Sequence, residues 1–382
     1  MSWKCRDGSP GGHAGSASRH DYLQRNEAMK RARRMAAAVL VGAAAVAGVG
    51  APMASANVAE RGAGWQSDGR NAALYYWRAF YSVDREFQRQ SGELLQSPRS
   101  ATWAPDASTV AKLEANRGFI NQLLTATRIE RCDFDIAYEE GLMALIPHLG
   151  LMRSGARILV LDERRLLAEG KMDDAAERIA AIYRMSVHLR NDNVLISSLV
   201  SMALAGLAAD EAQVLAESGK LTETGRDAIV AALQPLNTVD GFGAKRCIEM
   251  ERRITVDYLR GMLTGPEAGK KLSEADLIQI PEELKKQIFE LDEAGVGADL
   301  DLLNGYYTGV LRAWDDPAHA AEFAALEKKV ESGEFGLIAK VLAPAMSKAK
   351  TADIKGADRV REVLQVLASA SIAGAETETA TK

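Results

Sequence analysis

The residues best suited to catalysis lie around the predicted helix break at Pro147. His148 follows this proline, and two adjacent carboxylates, Glu139 and Glu140, precede it in the chain. A histidine oriented by a carboxylate is the usual general base of a hydrolase. This pattern makes an all-α hydrolase with paired carboxylates the enzymatic hypothesis. The simpler interpretation, which we favour, is a histidine that caps or packs at a helix start.

Two cysteines offer a second kind of chemistry. Cys132 and Cys247 remain once Cys5 is removed with an N-terminal segment that we expect to be cleaved. Two cysteines can pair in an oxidising compartment, and closing a loop of ~100 residues stabilises a fold by about 4–5 kcal/mol in the chain-entropy model. Two buried free thiols are the alternative of equal weight.

No local motif for a metal or a nucleotide is present. Three histidines follow residue 56, and they are far apart in sequence: His148, His188 and His319. The chain lacks the H-E-x-x-H, C-x-x-C, P-loop and dinucleotide-binding motifs. Two pairs of aspartates have the carboxylate ligands that Ca²⁺ prefers: Asp133 with Asp135, and Asp299 with Asp301. Neither pair has the ligand spacing of an EF-hand, and helix capping explains both pairs better. We therefore expect no cofactor and no locally encoded metal site.

The elements that position these residues are predicted to be helices. Helical spacing of apolar residues begins at Asn71 and continues to about Ala373, and no alternating β-branched run suggests a strand. This pattern predicts an all-α domain over residues 71–373 without a sheet. A polar linker over 57–70 precedes the domain, and a polar tail over 374–382 follows it.

Similar glycine turns recur within this domain. Residues 167–172 (LAEGKM), 215–221 (LAESGKL) and 330–335 (VESGEF) each place a glycine after a helical segment and then a large apolar residue. Glycine is favoured there because the position after a helix often needs a left-handed backbone. Helix, short turn and helix predict stacked antiparallel helix pairs, of the tetratricopeptide or α-solenoid kind. Residues 193–217 are long and apolar, and we expect them to form a central packed helix.

The N-terminal region has the order of an export signal. Four cations at residues 30–34 precede an apolar run over 36–51, and Ala54-Ser55-Ala56 matches a cleavage site. We predict a signal peptide over 29–56. Residues 1–28 are then either a disordered extension or the result of a mis-assigned start codon, with Met29 as the true start. The alternative is an uncleaved segment that anchors the protein to a membrane.

The N-terminal segment and the rest of the chain differ in net charge. The 382 residues contain 47 Lys and Arg against 52 Asp and Glu, a net charge of −5. Residues 1–56 hold 8 of these cations and 3 of the anions, so the mature chain has 39 against 49, a net charge of −10. Affinity for nucleic acid comes mainly from Lys and Arg, and the acidic balance therefore argues against a nucleic-acid partner.

Residues 166–189, with Gly170 at the turn and Ala175 and Ala176 at a tight crossing, resemble a degenerate tetratricopeptide hairpin. Together with 71–76 (NAALYY), 146–149 (IPHL) and 334–344, the order of features resembles a group of uncharacterised exported bacterial all-helical proteins. The resemblance implies no activity. We expect an exported, non-catalytic scaffold in the periplasm, cell envelope or medium that binds another protein through a helical groove, with a hydrolase as the alternative.

Overall fold

The structure, a computed structural model, describes residues 70–95, 102–263, 282–316, 318–343 and 346–370. The predicted signal peptide over 29–56, the extension over 1–28 and the tail over 374–382 lie outside the described residues.

The described residues form fourteen α-helices and three short 3₁₀ helices, and they contain no strand. The prediction of an all-α fold is therefore confirmed. The α-helices are α1 (Ala72–Ser82), α2 (Arg85–Leu94), α3 (Ala107–Ala115), α4 (Arg117–Thr127), α5 (His148–Ala168), α6 (Met172–Leu189), α7 (Leu195–Glu217), α8 (Glu223–Leu233), α9 (Ala244–Leu263), α10 (Glu282–Phe289), α11 (Glu293–Trp314), α12 (His319–Ser332), α13 (Gly336–Leu342) and α14 (Met346–Ser369). The 3₁₀ helices are Tyr138–Met143, Arg190–Asp192 and Gln234–Leu236.

Polar side chains determine where the first helices begin. Asn71, Asp84 and Asp106 each accept a hydrogen bond from a backbone N–H in the first turn of α1, α2 and α3. The cap at Asp84 divides a segment that periodicity predicts as one helix over 71–95. Apolar spacing also predicts one continuous helix over 110–127, and the structure divides this segment at Asn116. Apolar spacing continues across both breaks, and for that reason the sequence pattern alone missed them.

The glycine turns form as the sequence predicts. Gly170, Gly219 and Gly333 all have positive φ angles, of 77°, 67° and 88°. After Gly170, the N–H of Lys171 donates to the carbonyl of Leu166 at 2.9 Å, the bond that defines a Schellman motif. Residues 167–172 therefore turn α5 directly into α6.

Helix α6 lies at the centre of the core. Its residues Ile179, Ile182 and Tyr183 are fully buried, and α6 packs against α5, α7 and α8. The crossing with α8 is close, since a Cβ atom added to Gly225 would lie 2.9 Å from the Cβ of Ala176. The tight crossing expected at Ala176 is therefore made with α8.

Helix α6 packs against α5, α7 and α8, which are its neighbours in the sequence, and this part of the fold resembles stacked helix pairs. However, α14 returns to pack against α7, although the two helices are far apart in sequence. A solenoid, in contrast, is held together by contacts between successive repeats. The tetratricopeptide-like stack is thus not confirmed, whereas the central position predicted for 193–217 is confirmed by the contacts of α7 with α6 and α14.

Helices α9, α11 and α13 form a second packed group. Asp299 on α11 accepts hydrogen bonds from the backbone N–H groups of Leu337 at 2.8 Å and Ile338 at 2.6 Å, and so caps α13 from a neighbouring helix. Gly336 allows this approach, because a Cβ atom there would lie 2.1 Å from Asp299 Oδ1.

We expect Gly336→Ala to lower the free energy of unfolding by about 3 kcal/mol. The left-handed backbone at φ 86° disfavours alanine by about 1–2 kcal/mol, and displacing Asp299 breaks hydrogen bonds to a charged group. Urea unfolding is the measurement. Gly219→Ala is the control, since its φ is also positive but a Cβ there meets nothing within 4 Å. Equal losses in the two variants would show that the contact with Asp299 contributes nothing.

Candidate functional site

His148 is the first residue of α5 and is only 1% exposed. Its Nε2 lies 2.8 Å from Oδ2 of Asp192, and its ring stacks on Phe134 with 4.0 Å between the ring centroids. Tyr138 donates a hydrogen bond to the backbone carbonyl of Asp192. The carboxylate that orients His148 is therefore Asp192, which lies 44 residues away in the chain.

The two glutamates that the hydrolase alternative pairs with His148 lie elsewhere. Glu139 and Glu140 are exposed on the 3₁₀ helix Tyr138–Met143, and neither has a hydrogen bond or ion pair with His148. The structure does not bring the three residues together as a catalytic group. Because His148 is closed off from solvent by Phe134 and Asp192, its arrangement matches the packing interpretation.

His188, on α6, is part of the same buried aromatic cluster. Its Nδ1 lies 2.9 Å from the hydroxyl oxygen of Tyr76, and the two rings meet edge to face. Burial lowers the pKa of His188 to about 4. The imidazole is therefore neutral at physiological pH and acts as a hydrogen-bonding member of the core.

The two cysteines are separate buried thiols in the structure, with no disulfide between them. Burial, together with the charge of Asp192, raises the pKa of the Cys132 thiol, and burial followed by the charge of Glu251 raises that of Cys247. Since the thiolate is the reactive form of cysteine, neither residue has the character of a nucleophile in this conformation.

The two aspartate pairs have structural partners. Asp299 caps α13, while Asp301 forms an exposed ion pair with Arg260 at 3.2 Å. In the other pair, Asp133 Oδ1 accepts a hydrogen bond from the backbone N–H of Asp135 at 3.0 Å, and both residues are exposed. Within the described residues, no group of three or more His, Cys, Asp or Glu side chains is placed to hold a metal ion.

A cluster of buried ionisable groups lies on α5, at residues that no sequence motif marks. Four consecutive charged residues, 162–165 (DERR), lie on α5 and are all at most 5% exposed. Asp162 accepts hydrogen bonds from Arg165 Nε at 3.0 Å and Nη2 at 2.8 Å, and from Arg178 Nε of α6 at 2.9 Å. The signal was present, because four successive charges cover every face of a helix that is apolar on both sides of them.

The other half of this network lies between α5 and α7. Arg164 Nε donates to Glu211 Oε2 at 2.6 Å and lies 3.4 Å from Glu163 Oε2. Burial and the adjacent Glu211 charge raise the pKa of Glu163 well above its ordinary value. Two carboxylates that share one cation away from water bind a proton readily. This group therefore holds α5 to α7, and its inaccessibility to solvent leaves no room for a substrate.

Glu251 on α9 connects the two helix groups. Its Oε1 accepts a hydrogen bond from the backbone N–H of Leu195 at 2.8 Å, and it thus caps α7, whose own N-cap residue provides no side-chain bond. Burial, partly offset by this hydrogen bond, raises the pKa of Glu251 to about 7. The carboxyl group consequently titrates near neutral pH.

We expect Glu251→Gln to stabilise the protein at pH 8 but not at pH 4. Between the ordinary pKa of a glutamate and about 7, Glu251 binds more protons in the folded state than in the unfolded state. The free energy of unfolding of the wild type therefore falls as the pH rises through this window. The side-chain oxygen of glutamine still accepts the hydrogen bond from the N–H of Leu195, but glutamine carries no charge. Above pH 7 the free energy of unfolding of the variant should therefore exceed that of the wild type by up to about 3 kcal/mol. Urea unfolding across this pH range is the measurement. A gain that does not vary with pH would exclude titration of Glu251 as its cause.

An open groove of about 540 Å³ lies on the surface between α9 and α11. Its lining residues are Asp240, Lys245, Arg246, Glu249, Leu311 and Arg312. Asp240 accepts hydrogen bonds from the backbone N–H groups of Lys245 at 3.0 Å and Arg246 at 3.3 Å, which fixes the start of α9 at one side of the groove. The lining thus combines both charge signs with one apolar side chain.

Most of the aromatic residues that the structure describes lie in the core. Tyr76, Tyr306, Tyr307 and Trp314 are at most 3% exposed, while Tyr81 on α1 is 85% exposed. Among the described residues, α7 has the length and composition of a membrane-crossing helix, although 67% of its apolar window is buried within the protein.

Comparison with known proteins identifies no relative: no family model, no curated protein and no solved structure matches the chain.

Proposed function

We propose that the protein is a non-catalytic binding or scaffold module of the cell envelope that engages a protein partner through the groove between α9 and α11. The observation that carries this proposal is the lining of the groove. Lys245, Arg246 and Arg312 lie there with Asp240 and Glu249, around the side chain of Leu311. Charged residues of both signs around an apolar residue suit a protein segment of mixed charge.

The location of the ionisable residues supports a binding role over a hydrolase. The His148–Asp192 pair and the Arg164 network are buried, whereas the groove lies between the ends of other helices. A general base must reach the proton that it abstracts, and a buried imidazole cannot do so without opening of the fold. The predicted export of the protein places this function in the periplasm, cell envelope or medium. Attachment to a membrane follows only if the N-terminal segment remains uncleaved.

Photo-crosslinking from inside the groove tests the proposal. A crosslinking amino acid replaces the exposed Arg312, and the matched control replaces Arg361 on α14, which is exposed and lies outside the groove. We expect a defined protein partner to crosslink from position 312 only. Unlabelled wild-type protein should compete for it, and the Arg312→Glu variant should not. Identical products from both positions, or no competition, would contradict the proposal.

A further inference from the structure

Two arginines on α5 differ from most others in the described helices. Arg153 and Arg157 lie one turn apart on the same face of α5. Neither forms a hydrogen bond or ion pair with any Asp or Glu of the described residues, whereas Arg89, Arg117 and Arg165 each bind a carboxylate. The two positive charges repel each other, since the charge of Arg153 lowers the pKa of Arg157, and a bound anion would offset this repulsion.

Arg157 is also held in place by the neighbouring helix. It is half-buried, and a Cβ atom added to Gly92 of α2 would lie 3.0 Å from its Nη1. Burial and the charge of Arg153 lower the pKa of Arg157. The guanidinium is therefore positioned against the backbone of α2, instead of extending freely into solvent.

An additional hydrogen-bond donor lies on the same face of α2. Gln88 precedes Gly92 by one helical turn, and its Nε2 is buried without an acceptor among the described residues. A buried donor without a partner is unfavourable, because it has lost its hydrogen bonds to water and gained none in return. The neighbouring Glu86 is engaged by Arg89 and Gln90, and Glu93 is exposed and pairs with neither arginine. The face between α2 and α5 thus offers donors without a matching acceptor.

We propose that Arg153, Arg157 and Gln88 form a binding site for the oxyanion group of a ligand, a phosphate or a carboxylate. Guanidinium groups bind both oxyanions through paired N–H···O bonds, and an amide N–H provides a further donor. The glycine at position 92 leaves the space that the Arg157 guanidinium occupies beside α2, since a Cβ atom there would lie 3.0 Å from Nη1. The site is formed by α2 and α5 and is separate from the groove between α9 and α11.

Thermal-shift and calorimetric titrations of the full chain test this site. The probes are inorganic phosphate and citrate, each compared with chloride at constant ionic strength. We expect both anions to raise the melting temperature of the wild type. We expect Arg157→Gln and Arg153→Gln to bind them at least about tenfold more weakly, the equivalent of about 1.4 kcal/mol. Gln88→Leu should weaken binding by a smaller factor.

The controls separate this site from general charge effects. Arg89→Gln removes one positive charge from α2 at an exposed residue that is paired with Glu86, and it should bind as the wild type does. Arg157→Lys retains the charge but loses the paired donors, so it should bind more weakly than the wild type. This variant keeps the test valid if Arg157→Gln does not fold.

Vesicles distinguish a free ligand from a lipid headgroup. Binding to phosphatidylglycerol vesicles but not to phosphatidylcholine vesicles, lost in Arg157→Gln, would identify the oxyanion as a lipid phosphate. Binding of the soluble anions alone would identify a free ligand. Equal binding of all variants, or no binding of either probe or vesicle, would overturn the proposal.

Discussion

Replacing Arg164 by methionine is expected to lower the free energy of unfolding by about 3–5 kcal/mol at neutral pH. Arg164 lies between the carboxylates of Glu163 and Glu211, and all three side chains are at most 1% exposed. Methionine fills similar space but removes the Arg164 cation that lies between the two carboxyl groups. The pKa of Glu163 is already raised in the wild type, so without Arg164 the pair must bind one further proton to avoid an uncompensated buried charge, at a cost in free energy that increases with pH.

The pH dependence of this loss tests the mechanism. Urea unfolding at about pH 5 and pH 8 should give the larger loss at pH 8, because protonated carboxyl groups need no neighbouring cation. Adding Glu211→Gln to the methionine variant should recover part of the stability. Arg361→Met is the matched control, since the ion pair of Arg361 with Asp358 is 60% exposed on both sides, and its effect should stay below about 0.5 kcal/mol. Similar losses in both methionine variants would contradict this role of Arg164.

Replacing Asp162 by asparagine is expected to lower the free energy of unfolding by about 3 kcal/mol. Asp162 is fully buried and accepts three hydrogen bonds, from the guanidinium groups of Arg165 and Arg178. Asparagine has the same shape, yet it removes the negative charge and turns an NH₂ group towards a cation. Arg165 retains Glu169, and Arg178 retains the backbone carbonyl of Asp174, so the loss is smaller than for Arg164.

The control for this substitution is Asp301→Asn. Asp301 pairs with Arg260 through a carboxylate that is 76% exposed, and surface pairs of this kind contribute about 0–1 kcal/mol. Urea unfolding with constant m-values compares the two variants directly. If Asp162→Asn is no more destabilising than Asp301→Asn, the buried network does not hold α5 to α6.

Local features of the structure could be predicted from the sequence, whereas contacts between distant residues could not. Gly170, Gly219 and Gly333 adopt left-handed conformations as their turn motifs predict, because a helix end depends on a few neighbouring residues. The divisions at Asp84 and Asn116 were missed, since both lie within continuous apolar spacing. The cap of α13 by Asp299 joins residues that are 38 positions apart, and no local pattern reports it.

The candidate catalytic residues also have partners that are distant in the chain and that the sequence could not predict. His148 has a carboxylate partner, as the hypothesis of a general base requires, but the partner is Asp192 and not the adjacent glutamates. Distance in the chain hides such a pair from any motif search. The Arg164 network was hidden for another reason, since charged residues on a helix usually face solvent. In α5 the residues 162–165 are buried because α2, α3, α6 and α7 pack against this helix.

By itself, the sequence determined the all-helical class, the glycine turns and the acidic balance of the domain, because these depend on composition and on neighbouring residues. Only the tertiary structure decided which charges are buried, which helix caps another, and where donors are left without acceptors. Those properties arise when helices that are distant in the chain exclude water from one another. The pairing of Asp192 with His148 is a result of that packing.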